Sequence, residues 1–316
     1  MKKVLAIVLC LAMALSLAAC TGSSKKTYKV GVVQLVQHPA LDAATQGFKD
    51  ALEKELPGQV EVDIQNAAGE ANNCATIVNG FVSTKKDLIM ANATPALQAA
   101  VSATDSIPVL GTSVTAYGVA LDIDNFNGTV GGNVSGTSDL CDLDATAAMV
   151  KEWFGDKKTV GFLFCSAEPN SRYQVDEMAK RLQAAGFETS EYAFTDSNDI
   201  AAVTQKACSS VEVIYIPTDN TAASNTETIA NVASQAGIPI VAGEEGICTN
   251  TGVCTLSISY YDLGYTTGQM AVKILKGEKK VSEMPIEYTN YTKKYDADVC
   301  KALGLTAPEG YVAIEK

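Results

Sequence analysis

The 316-residue chain has one histidine, His38, and one tryptophan, Trp153. With a single histidine, no CxxC pair and no Cys/His cluster, the sequence offers no zinc-ligand set, and neither a metal nor a cofactor is expected. There is no GxSxG elbow and no GxGxxG loop, and His38 has no motif around it that pairs a nucleophile with a base. These absences argue against an enzyme. Positive charge is also short, with 24 Lys and Arg against 36 Asp and Glu for a net charge of −12, which excludes nucleic acid as an expected partner. Beyond the first twenty residues no apolar run reaches 18 residues, so no further span long enough to cross a bilayer is expected.

The N-terminus is read as a targeting segment. Lys2 and Lys3 precede an apolar run over 4–14, and Leu17-Ala18-Ala19 leads into Cys20. The run is too short to span a bilayer comfortably, and its basic-then-apolar order is that of an export signal. Leu17-Ala18-Ala19-Cys20 resembles the bacterial lipobox, which implies cleavage after residue 19, lipidation of Cys20 and a polar tether over 20–27. The expected location is therefore the outer face of the cell membrane, held by a lipid anchor. Of the nine cysteines, those left after Cys10 and Cys20 are 74, 141, 165, 208, 248, 254 and 300, an odd set that cannot pair completely. Cys165 and Cys208 read as small core residues. Cys248 and Cys254 bracket a short loop that oxidation would close into a ring.

The remainder alternates short apolar runs with amphipathic ones. Strand patterns fall at 29–36, 60–65, 88–93 and 109–111, and helix patterns at 42–55, 72–83 and 95–103. A Gly/Asn/Ser/Thr-rich stretch at 128–136 reads as a crossing segment. The rhythm then restarts, with strands at 159–164, 188–193, 213–216 and 238–242 and helices at 173–185, 200–208 and 221–236. A long helix at 262–275 and a last strand at 285–288 follow. Two βαβ series rich in Val, Ile and Leu predict two parallel sheets covered on both faces. The expected division is 28–138 plus about 260–284 for lobe 1, and 139–259 plus about 285–316 for lobe 2.

Ligands of open parallel sheets bind beyond the carboxyl ends of the strands. The candidates are therefore the polar residues that follow each strand: His38 and Asp42, Thr94, Ser113 and Thr115, Asn170 and Ser171, Thr218, Asp219 and Asn220, and Glu244. Hydroxyls and free N–H groups at helix starts suit a carboxylate, and Asp219 or the Glu244-Glu245 pair would balance an ammonium. An amino-acid zwitterion fits this set. Trp153, near a helix end, reads as packing.

The stretches VGVVQLVQHPALDAATQGFKDAL, DLIMANATPALQAA, AEPNS, IYIPTDNTAAS, IPIVAGEE and YYDLGYTTGQMAVKILKGE resemble the tryptophan/tyrosine-type substrate-binding proteins of ABC importers. The likeness spans about residues 28–290. It implies a type I periplasmic-binding clamshell, α/β with two Rossmann-like lobes joined by a hinge. It also implies an aromatic amino acid as ligand, an ABC permease as membrane partner, and a monomer. The resemblance carries Thr94, Ser113, Asn170, Ser171, Thr218, Asp219 and Glu244 into the pocket. One departure stands at Ala116-Tyr117, where the family usually has Asp-Pro, and Tyr117 is expected to stack on a ligand ring or exclude it. The alternatives are a sensory receptor for another small metabolite and an exported α/β enzyme.

Overall fold

The computed structural model describes residues 26–316; the export-signal and lipobox readings, including Cys20, lie outside the described residues. Lobe 1 is built on β1 (Tyr28–Gln34), β2 (Val60–Asn66), β3 (Leu88–Asn92), β4 (Val109–Val114) and β5 (Val134–Ser138). The helices α1 (Pro39–Glu55), α2 (Ala71–Ser83), α3 (Thr94–Ala103) and the one-turn α4 (Tyr117–Ala120) intervene. Lobe 2 begins with α5 (Leu143–Phe154) and continues through β6 (Thr159–Cys165), α6 (Pro169–Ala184), β7 (Glu188–Phe194), α7 (Ile200–Cys208) and β8 (Val213–Ile216). It goes on with α8 (Asn220–Ala223), α9 (Thr226–Ala236), β9 (Ile240–Ala242), α10 (Glu245–Cys248) and β10 (Cys254–Ile258). The chain then returns to lobe 1 in α11 (Tyr260–Leu275) and the short β11 (Glu287–Tyr288), and ends in lobe 2 with β12 (Tyr291–Tyr295), α12 (Ala297–Leu303) and β13 (Val312–Ala313).

The first sheet has the order β11-β5-β4-β3-β1-β2 and is parallel throughout. The second has the order β13-β12-β10-β9-β8-β6-β7, and only the β10–β12 pair is antiparallel. Burial on both faces explains the near-continuous apolar strands. In β1, Val30 and Val32 face one core cluster and Val33 the other. In β6, Phe162 and Phe164 face one cluster while Leu163 and Cys165 face its opposite. Prolines at the first turns of α1, α3 and α6 set the helix starts. The architecture is the expected two-lobed α/β clamshell.

Several local expectations are corrected. The 128–136 stretch is not the crossing: its second half enters β5, every residue of which is buried. Glycine there serves packing, because a Cβ on Gly136 would collide with the backbone of Gly111 and the hydroxyl of Tyr117. The chain crosses between lobes at residues 139–142, at Ser259, and at residues 289–290. Residues 287–288 pair with Thr137 and Ser138 in the first sheet, whereas β12 pairs with β10 in the second. The helix expected over 221–236 is broken between Ala223 and Thr226. All seven cysteines of the described residues are free. Cys248 and Cys254 sit in core clusters on opposite faces of the second sheet, which prevents the ring between them.

Helix α11 lies directly on α1. Gly264 faces the backbone of Ala44 and Gly268 that of Phe48, with no room for a side chain at either position. Glycine is required here for close approach of two backbones. The late helix is thereby fixed to lobe 1, with its N-terminus at the second crossing.

Candidate functional site

The carboxyl ends of strands from both sheets converge on one small cavity of about 10 Å3. Lobe 1 contributes His38 and Leu41 after β1 and Ser113 and Thr115 at the end of β4. Asp139 follows β5, and Tyr260 follows β10 at the second crossing. Lobe 2 contributes Asn170 from the first turn of α6, Thr218, Asp219, Asn220 and Ala223 after β8, and Glu244 after β9. The lobes touch here: Thr115 Oγ1 lies 3.3 Å from Thr218 Oγ1, and His38 Nε2 lies 3.4 Å from Asn220 Oδ1. The clamshell is therefore closed tightly, leaving space for about one water molecule, far below the ~300–1,000 Å3 usual for small-molecule sites, so a solute is admitted only when the lobes part.

The backbone is distorted where lobe 1 faces the cavity. Ser113 has φ 54° at a register shift in β4, and Ala93, just before Thr94, has φ 92°. A non-glycine residue held in this region is costly and such residues cluster at functional sites. At Ser113 the distortion leaves a buried hydroxyl without a hydrogen-bond partner.

Three of the four buried carboxylates in this region have both oxygens engaged by lobe 2 itself. Glu168, behind the wall, accepts from the backbone N–H groups of Asn220 and Thr221 and from the side chains of Asn170, Asn220 and Thr221. Asp219 accepts from Ala222 N at 2.8 Å, from Cys165 N at 2.6 Å and from the Ser171 hydroxyl at 2.8 Å. Glu244 caps α10, each oxygen taking a backbone N–H, from Gly246 and Ile247, at 2.6 Å. Burial pushes the Glu244 carboxyl up to about 7 against those two bonds. Asp219 is pushed up by burial and by the neighbouring Glu168.

Asp139 differs. Its Oδ2 accepts from the Tyr260 hydroxyl at 2.9 Å, while Oδ1 has no partner although the residue is 4% exposed. Burial raises its pKa, opposed by the Tyr260 hydroxyl and by the nearby Thr115 hydroxyl, which does not reach hydrogen-bonding geometry. Two other acceptors are similarly free. Asn170 Nδ2 donates to Glu168, Ser171 and the Thr218 carbonyl, which leaves Oδ1 unpartnered. Asn220 Nδ2 donates to Glu168, so its Oδ1 accepts from His38 Nε2 and the ring's Nδ1 remains an acceptor. Burial lowers the His38 pKa and keeps the ring neutral. The cavity therefore presents spare acceptors from both lobes, a donor-capable hydroxyl at Ser113, and apolar surface at Leu41 and Ala223.

Eight of the sequence candidates thus lie on one wall or the other: His38, Ser113, Thr115, Asn170, Thr218, Asp219, Asn220 and Glu244. Four do not. The Asp42 carboxylate takes the Gln34 amide at 2.6 Å, and Thr94 is buried in the first turn of α3. Ser171 stands behind Asp219. Tyr117, expected to meet a ligand ring, is 2% exposed in the lobe 1 core, where its hydroxyl donates to the Thr137 carbonyl at 3.1 Å. Glycine at 111 and 136 leaves the space its ring end fills, which draws it inward. Sequence reasoning missed Asp139 and left Tyr260 divided between hinge packing and ligand contact; both follow strands at lobe crossings, and the position after β5 was hidden because β5 read as loop.

A family model described as ABC transporter substrate binding protein matches residues 29–310. A tyrosine-binding protein of Clostridioides difficile is 35% identical over 289 residues, covering 89% of this chain and 82% of the relative. An ABC domain from Streptococcus pneumoniae solved in complex with L-Trp superposes with a TM-score of 0.86 at 31% identity, covering 92% of this chain and 100% of that one. A ligand-free, open substrate-binding protein with adhesive properties from Clostridium difficile gives 0.70 at 37% identity, covering 92% and 99%. Among the described residues no helix is long and apolar enough to cross a membrane.

Proposed function

The chain belongs to the ABC transporter substrate-binding protein family, with the type I periplasmic-binding fold, and from that premise we propose that its solute is an aromatic amino acid held in the cavity between the lobes. The observation that carries this reading is the set of unpartnered acceptors, Asp139 Oδ1, Asn170 Oδ1 and His38 Nδ1, converging from both lobes beside the Ser113 hydroxyl. Buried polar groups of this kind are satisfied by a ligand with complementary donors and acceptors. A zwitterion supplies both, with its side chain against Leu41 and Ala223. The tyrosine-binding relative and the tryptophan-complexed neighbour favour an aromatic side chain.

In this reading the chain is an extracytoplasmic receptor, anchored through a lipid on Cys20. It acts as a monomer, captures its ligand by hinge closure and passes it unchanged to an ABC permease. The test is a thermal-shift panel of the twenty amino acids on the chain from residue 21, which contains both lobes whole. A ligand at ~100 times its dissociation constant stabilises by about 2.7 kcal/mol. A shift with tryptophan, tyrosine or phenylalanine alone is the expected outcome. A shift with only aliphatic or charged amino acids overturns the aromatic reading, and consumption of the bound amino acid overturns the receptor reading.

A further inference from the structure

Asp139 and Tyr260 occupy two different lobe crossings, the first at residues 139–142 and the second immediately after Ser259. Their 2.9 Å hydrogen bond ties one crossing to the other inside the cavity wall. The same two stretches are joined again by Cys141, whose thiol donates to the Leu256 carbonyl at 3.3 Å near the end of β10. We propose that Asp139 is the receptor for the ligand's ammonium group, and that its bond to Tyr260 passes the arrival of that charge to the hinge; this rests on the amino-acid reading above.

The assignment follows by comparing the carboxylates. Glu168, Asp219 and Glu244 spend their oxygens on backbone N–H groups and neighbouring side chains of lobe 2. Withdrawing any of them toward a ligand would strand buried N–H groups. Of the four, Asp139 alone has an oxygen with no partner at all. A buried carboxylate without a counter-charge is unfavourable, and an ammonium placed on Oδ1 removes that penalty through a charge-assisted bond. Asn170 Oδ1, free on the facing lobe, is the natural second acceptor, so one ammonium bridges lobe 2 to the hinge. Once ionised, Asp139 also accepts more strongly from Tyr260 on Oδ2. The ligand's charge thereby favours the arrangement in which the crossings are held together, which is a differential interaction with the closed state. Tyr260 is a positioning residue, since it acts through Asp139.

The test compares ligands that differ only in the amino group: L-tyrosine with 3-(4-hydroxyphenyl)propionate, and L-tryptophan with 3-indolepropionate. Titration calorimetry on wild type, Asp139→Asn and Tyr260→Phe reads the preference for the amine. Wild type is expected to prefer the amino acid by roughly 10- to 100-fold. Asp139→Asn should reduce that preference to within about threefold, and Tyr260→Phe should reduce it in part. Wild type that binds no amino acid ends the reading on which this rests. Wild type that binds while Asp139→Asn keeps the full preference ends this inference alone.

Discussion

The hydroxyl oxygens of Thr115 and Thr218 lie 3.3 Å apart, one at the end of a lobe 1 strand and the other at the end of a lobe 2 strand. Gln174 Nε2 donates to the Thr218 hydroxyl at 2.5 Å and fixes its orientation, so the cross-lobe contact is held from the lobe 2 side. There is no room between the two threonines for a larger side chain in the closed form. Thr115→Trp is therefore expected to prop the lobes apart and weaken ligand binding by roughly tenfold or more, about 1.4 kcal/mol per tenfold. Small-angle scattering checks it: ligand should contract the wild type and leave the variant's radius of gyration unchanged.

Asp219 was expected from the sequence to neutralise an ammonium, but its oxygens are engaged by Ala222 N, Cys165 N and Ser171 Oγ. Removing the carboxylate strands a buried N–H at the end of β6 and uncaps α8. Asp219→Ala should lower stability by about 3 kcal/mol, and so the melting temperature by roughly 6–10 °C. A variant that melts like wild type yet binds more weakly would restore the ligand-contact role.

That contrast shows what the sequence can and cannot reveal. Strands such as Leu88–Asn92 and Thr159–Cys165 are legible because burial on both faces demands unbroken apolar runs. Val134–Ser138 is not, because Ser, Gly and Thr fill a strand whose packing space is taken by the ring end of Tyr117. The pocket segments were visible as polar residues after strands, a consequence of parallel topology. Which carboxylate is left unpaired depends on the backbone N–H groups that surround it, and no local pattern around Asp139 records that.

The pH dependence of binding follows from Asp139. The groups facing it are the Tyr260 hydroxyl, Thr115, Glu244, Tyr117 and Cys141, none of them positively charged. Burial holds its pKa above that of the unfolded chain, so the empty protein binds the extra proton, and Asp139's contribution to stability, full below the unfolded pKa, is lost as pH rises through the folded one. An ammonium ligand prefers the ionised form, so affinity should increase as pH rises through that raised pKa and then level off. Dissociation constants measured across the acidic and neutral range should show a steeper slope in wild type than in Asp139→Asn, where Glu244, pushed up to about 7, still titrates. Equal slopes in both would assign the proton to another group.

Gly264 and Gly80 separate two roles of helix glycine. A Cβ on Gly264 would overlap the Ala44 carbonyl and push α11 off α1, whereas a Cβ on Gly80 meets nothing within 4 Å. Gly264→Ala should cost about 1–3 kcal/mol, and Gly80→Ala should gain about 0.5–1 kcal/mol from helix propensity and a less flexible unfolded chain. Denaturant melts of the two variants should therefore move in opposite directions.

The cysteines give the last test. Cys248 faces one core of the second sheet and Cys254 the other, packed near Cys300, and all three are at most 3% exposed. Cys74, Cys165 and Cys208 are buried too, and Cys141 is half-buried. Burial pushes the thiols up, to about 11 for Cys74, Cys165 and Cys300 and about 12 for Cys141. The reactive thiolate is therefore scarce near neutral pH, and access is poor as well. A thiol reagent at pH 8 should label essentially none of the seven in the native chain from residue 21, and all seven once guanidinium unfolds it. An intact mass two daltons lower, with two thiols missing after unfolding, would show that a pair has oxidised. For Cys248 and Cys254 that would require the turn after α10 to bring both sulfurs to one face of the sheet, an arrangement different from the one described here.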